Sequence, residues 1–141
     1  MICVLFGHKD ASEKIKCKLE NCIIDILSEN EYVVFYAWNN GNFDRMAQCV
    51  LEDLSTRRPA LNYLLYLSKI DEVSLGGSQT RTVYLESLHK VPKRFAISKR
   101  NDFLIKNADM ALIYVNNRFS NTYKISERLK KRGVRIINIK I

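Results

Sequence analysis

The stretch Ile2-Cys3-Val4-Leu5-Phe6, closed by Gly7-His8-Lys9-Asp10, decides how the rest of the chain is read. Five apolar residues without alternation, ended by a glycine and three polar residues, are the pattern of a β-strand covered on both faces. Such a strand belongs to a parallel sheet with helices on either side. The sequence around it agrees. Ser12-Glu13 opens a helical stretch whose apolar positions Ile15, Leu19, Cys22, Ile23, Ile26 and Leu27 recur at helical spacing, ending near Ser28. A second strand follows at Tyr32–Ala37, interrupted by Asn39-Asn40-Gly41. Phe43, Met46, Ala47, Val50, Leu51 and Leu54 form a second amphipathic stripe, which stops before Pro59.

Leu61–Leu67 reads as a third strand and Ser68–Arg81, with Gly76-Gly77, as a loop or flap, of which 68–81 is the variable part. Thr82–Leu85 is a candidate short strand. A helical segment runs from Pro92 to about Ala108, and Met110–Val115 is the strongest strand after the first. Ser120 or Asn121 opens a last helix that Gly133 terminates, and Val134–Ile139 closes the chain as a strand. Strands and helices alternate, so the expected class is α/β: a single Rossmann-like domain over residues 1–141. Its mostly parallel sheet has about five strands, flanked by helices on both faces and joined by right-handed crossovers.

The 141 residues are 47% hydrophobic and 27% charged, with 5 Gly and 2 Pro, which excludes disorder and low-complexity linkers. No apolar run approaches the ~20 residues of a membrane span. The amino-terminal MICVLFGHKD soon meets charge, so it is expected to be neither a signal peptide nor an anchor, and the protein is expected to be cytoplasmic. The four cysteines (Cys3, Cys17, Cys22, Cys49) lack C-x-x-C spacing and are read as reduced, packed thiols; no metal and no cofactor is expected. The net charge of +8 is unevenly distributed: residues 1–70 hold 8 Lys/Arg against 9 Asp/Glu, and residues 71–141 hold 15 against 6. A basic half favours phosphate-bearing partners.

In an open parallel sheet ligands bind beyond the carboxyl ends of the strands, where strand order reverses. The candidate residues therefore follow the strands. Gly7, His8 and Lys9 come after the first: Gly7 leaves room for a phosphate or sugar, and His8 is a phosphate donor or acid/base candidate. Asn40, Gly41 and Asn42 precede the second helix, where backbone N–H groups can surround an anion; Asp44 in its first turn suits ribose hydroxyls or a hydrolytic water. Arg100 and Asn101 form a guanidinium–amide pair ahead of the late strand. Ser120, Asn121 and Thr122 start the last helix. Neither G-x-G-x-x-G nor a Walker A sequence occurs, which disfavours an ordinary NAD or P-loop site.

Three blocks in order, V-L-F-G-H-K-D, N-N-G-N-F-D-R-M-A and P-K-R-F-A-I-S-K-R-N-D-F-L-I-K-N-A-D, resemble the SLOG superfamily of Rossmann-like proteins. This superfamily includes the Lonely Guy phosphoribohydrolases, the DNA-processing protein of natural transformation, and many small bacterial and phage proteins, which the chain resembles most. The resemblance spans about residues 2–139. It implies a pocket for a nucleotide or nucleotide-derived signal, lined by Gly7, His8, Gly41, Asp44, Arg100 and Asn101, and a homo-oligomer. The chain departs from the pattern where the family tends to have a glycine-rich phosphate loop and this sequence reads Phe119-Ser120-Asn121-Thr122. The phosphoribohydrolase signature P-G-G-x-G-T-x-x-E is absent, and Glu127 lies too far along the helix to replace its glutamate. Sensing or sequestering a nucleotide is thus the expected function. The alternatives are N-glycosidic hydrolysis of nucleoside monophosphates, with Asp44 and Arg100 in catalytic roles, and single-stranded nucleic-acid binding through the basic half.

Overall fold

The structure is a computed structural model that describes residues 1–30, 32–38, 41–58, 61–67, 82–84 and 93–139, with backbone alone at 65–67, 82–84, 93–97 and 100. Its elements are β1 (Ile2–Gly7), a 3-10 turn (Glu13–Ile15), α1 (Lys16–Glu29), β2 (Val34–Ala37), α2 (Asn42–Arg57), β3 (Asn62–Leu67), β4 (Thr82–Tyr84), α3 (Lys93–Asn107), β5 (Met110–Tyr114), α4 (Asn121–Lys131) and β6 (Arg135–Asn138). The strands form one sheet in the order β4-β3-β2-β1-β5-β6. Every neighbouring pair is parallel. The fold is the Rossmann-like α/β class expected, with the short β4 making a sixth strand. Among the described residues no helix is long and apolar enough to cross a membrane.

The unbroken apolar run of β1 is explained by its place in the middle of the sheet. Successive strand residues face opposite sides. Cys3 and Leu5 join Leu19, Ile23 and Ile26 of α1 and Met46, Val50 and Leu54 of α2 in one core. Val4 and Phe6 join Leu104 and Ile105 of α3 and Ile125 and Leu129 of α4 in the other. Helices α1 and α2 therefore cover one face, α3 and α4 the opposite one. At the sheet's amino edge Asp109 fixes the β1–β5 register: its carboxylate accepts from the Ile2 N–H at 2.8 Å, and its own N–H donates to the Ile2 carbonyl at 2.9 Å.

Several boundaries differ from the sequence reading. The first helix begins as a 3-10 turn, because the Ser12 hydroxyl accepts from the Lys14 N–H and tightens the entry. Tyr32 lies outside β2 and is 77% exposed. The last strand covers only Arg135–Asn138, where the Asn138 amide bonds the Val115 backbone in place of a further strand residue. Of the cysteines only Cys3 is buried; Cys22 is half-buried, and Cys17 and Cys49 are exposed on α1 and α2. A cysteine on an amphipathic helix follows the stripe only where its own position points inward, and those two do not. The 68–81 loop lies outside the described residues, as do the positions of Asn39 and Asn40.

Candidate functional site

The chain lays down β1 to β4 outward in one direction, then returns to place β5 on the other side of β1. The β1 and β5 exits therefore diverge, and a crevice opens at the carboxyl edge between them. A cleft of about 480 Å³ occupies that place. Its walls come from the β1 exit (Gly7, Lys9), the β2 exit and α2 (Trp38, Asp44), α3 (Ser98, Asn101, Asp102) and one face of α4 (Asn121, Thr122, Lys124, Arg128). Six sequence candidates line it: Gly7, Lys9, Asp44, Asn101, Asn121 and Thr122.

The two helix starts at this cleft differ in charge. Ser120 is the N-cap of α4; its hydroxyl oxygen accepts from the Tyr123 N–H at 3.1 Å and its O–H donates to the Asn117 carbonyl at 2.8 Å. No acid occupies the first turn of α4. The N–H groups of Asn121 and Thr122 have no hydrogen-bond partner among the described residues, so the positive end of the helix is open there. Lys124 adds a cation one turn on, and Lys9 supplies another from the β1 exit. At the start of α2, by contrast, the N-cap is Gly41, and Asp44 stands in the first turn, 7% exposed. The Asn42 N–H donates to the Lys9 carbonyl at 2.8 Å, so one helix-start donor is already engaged. The cleft thus has a cationic side at α4 and a carboxylate at α2. Across its mouth Arg128 pairs with Asp102 at 2.8 Å, both half-exposed.

The glycines hold this arrangement for reasons of packing. A Cβ on Gly7 would lie 2.1 Å from Cγ of Phe43, so the space expected for a phosphate or sugar is filled by that ring. Gly41 has φ of 114°, a conformation side chains disfavour, and a Cβ there would meet the Lys9 Cα at 2.7 Å. The loops after β1 and before α2 are in direct backbone contact. The Thr122 hydroxyl donates to the Gly7 carbonyl at 3.4 Å and ties α4 to the same point.

His8 is turned away from the cleft. Its Nε2 accepts from the Asn116 N–H at 2.9 Å, which puts the ring proton on Nδ1, and its ring meets Tyr114 edge-on with centroids 5.6 Å apart. At 8% exposure it braces the β1 exit against the β5 exit. Asn42 and Ser120 likewise serve the frame: neither is among the cleft-lining residues. Arg100 lies within α3, one residue before Asn101, with its side chain outside the described residues, and Asn40 lies outside them altogether. Sequence reasoning missed Lys124 and Arg128. Their spacing from Asn121, three and seven residues, places all three on one helix face and is the signal that would have found them. Among the described residues no cluster of three or more His, Cys, Asp or Glu is placed to hold a metal ion. No family model matches the chain, and no curated protein is significantly similar to it.

Proposed function

We propose that the protein is a SLOG-like binding module that senses or sequesters a nucleotide or nucleotide-derived signal in the cleft at the carboxyl edge of the sheet. The observation that supports this reading most is the polarity of the cleft. The α4 side offers the open helix N-terminus with Lys124, which suits a phosphate; the α2 side offers Asp44, which suits ribose hydroxyls, and Lys9 reaches the cleft from the β1 exit beside the α2 start. The volume of about 480 Å³ is in the range of small-ligand sites. In this reading Asn121 and Thr122 donate backbone N–H groups to the phosphate, taking the part that a glycine-rich loop plays in the proteins the sequence resembles. Arg128 is released to the ligand when Asp102 lets go of it. Self-association belongs to the same reading, and Phe119, 93% exposed beside the cleft, offers an apolar surface for it.

Hydrolysis of an N-glycosidic bond is the second reading, supported by the buried Asp44 carboxylate at the cleft wall. Native mass spectrometry of the purified protein tests the first: a co-purifying adduct of nucleotide mass that Lys124→Ala loses supports binding. A protein that stays bare with an added nucleotide panel sinks it. Free base released from nucleoside monophosphates, and abolished by Asp44→Asn, supports the second.

A further inference from the structure

The charge asymmetry along the chain becomes an asymmetry between the two faces of the sheet. Helices α1 and α2 together carry four Lys/Arg against six Asp/Glu, whereas α3 and α4 carry nine against two. The two basic helices run side by side and in the same direction: Asp102 pairs with Arg128, and three residues further along α3 the Ile105 carbonyl accepts from the Arg132 guanidinium, four residues further along from Arg128. This fixes Lys106, Lys131 and Arg132 near one end of the pair. Lys99, Lys106, Lys131 and Arg132 are exposed, lie outside the cleft wall and have no acid partner among the described residues. Cations in the last turn of α4 also complement the helix dipole, but that role does not account for Lys99 in the middle of α3.

From this placement we infer that the α3–α4 face, outside the cleft, docks the sugar-phosphate backbone of a nucleic acid without reading its sequence. Firm binding to an anionic membrane adds apolar side chains that insert beside the cations. Here the apolar positions of α4, Ile125 and Leu129, are buried against the sheet, and among the described residues the exposed large apolar side chains, Met1, Tyr32 and Phe119, lie on neither helix. A backbone of phosphates asks only for spaced cations. The inference does not depend on the reading of the cleft.

The test is fluorescence anisotropy with a labelled single-stranded oligonucleotide of about 20 nucleotides, titrated across salt. Engaging about four phosphates gives a log–log salt slope of about −2.8, or about a 50-fold loss of affinity between 50 and 200 mM salt. Lys106→Glu/Lys131→Glu removes two exposed cations, so the slope falls to about −1.4 and the loss to about 7-fold. Lys14→Glu/Lys16→Glu, on the opposite side, makes the same change in net charge and is expected to leave the slope near the wild-type value. Equal effects of the two variants, a flat salt response, or tighter binding to phosphatidylserine vesicles than to the oligonucleotide would each overturn the inference. Calorimetry with mononucleotides on Lys106→Glu/Lys131→Glu reports the cleft separately, because neither residue lines it.

Discussion

Replacing Gly7 by alanine separates packing from ligand binding at the β1 exit. The added Cβ would sit 2.1 to 2.6 Å from three atoms of the Phe43 ring, against an ordinary contact of 3.4 Å or more, so the ring must retreat by about 1.3 Å. Phe43 is fully buried between α2 and the sheet and has no space to retreat into. Overpacking of this kind costs about 1–3 kcal/mol, and for a domain of this size about 3 kcal/mol lowers Tm by roughly 10 °C. Gly7 does not have a positive φ, so its backbone conformation is open to any residue. With the ring removed the same substitution should therefore be neutral or stabilising by about 0.4–1 kcal/mol through the unfolded chain. Phe43→Ala alone costs about 3–5 kcal/mol. Urea unfolding of the wild type, both single variants and the double variant gives the coupling: Gly7→Ala destabilises in one background and not in the other. Costs that simply add would refute the packing argument. A variant of full stability that had lost ligand affinity would restore the phosphate-room reading of Gly7.

Gly41→Ala should destabilise by about 1–3 kcal/mol, and Lys9→Ala should not rescue it, because the clash is with the Lys9 Cα and the φ is strained in any case; rescue in a thermal melt would show that the Lys9 side chain was responsible. Removing the α4 N-cap with Ser120→Ala should cost about 1 kcal/mol, read as a shift in urea midpoint with unchanged m-value. Burial raises the Cys3 thiol from 9.0 to about 12, despite a backbone hydrogen bond with Leu112 that lowers it. The unfolded chain then loses its proton first, so stability is intact below pH 9 and falls as pH rises from 9 toward 12, by at most about 4 kcal/mol. The gap in stability between wild type and Cys3→Ala should narrow across that window; a constant gap would contradict the assignment. At neutral pH a thiol reagent should modify Cys17 and Cys49 quickly and Cys3 only on unfolding.

Most of the architecture is legible in the sequence because strand burial and helix stripes leave separate periods. The runs Ile2–Phe6 and Met110–Val115 lack alternation, and the structure pairs them at the centre of the sheet, Cys3 opposite Met110 and Gly7 opposite Tyr114. Edges are less legible: β6 has no fully buried residue, so its limits follow from the Asn138 amide rather than from hydropathy. The position of the site follows from topology, and the residues that gather there were reachable as those just after the strands. Their roles were not. A glycine after a strand has the same letter whether it admits a ligand or a phenyl ring, and a histidine there has the same letter whether it faces a cleft or receives the Asn116 N–H. Lys124 and Arg128 were missed because a cation on a helix is usually surface; their spacing of three and seven residues from Asn121 was the available signal, and the placement of α4 against the β1 exit brings that helix face to the cleft.

The most direct test of the central claim is isothermal titration of the purified protein with a panel of nucleoside mono-, di- and cyclic phosphates, repeated on Lys124→Ala and Asp44→Asn. The account predicts micromolar binding of at least one member. Lys124→Ala should weaken it by about 10-fold, for a lost charge-assisted contact, and should act less on the matching unphosphorylated nucleoside. Asp44→Asn should weaken nucleotide and nucleoside alike. Binding no tighter than millimolar across the panel, or a bound nucleotide indifferent to both substitutions, would contradict it.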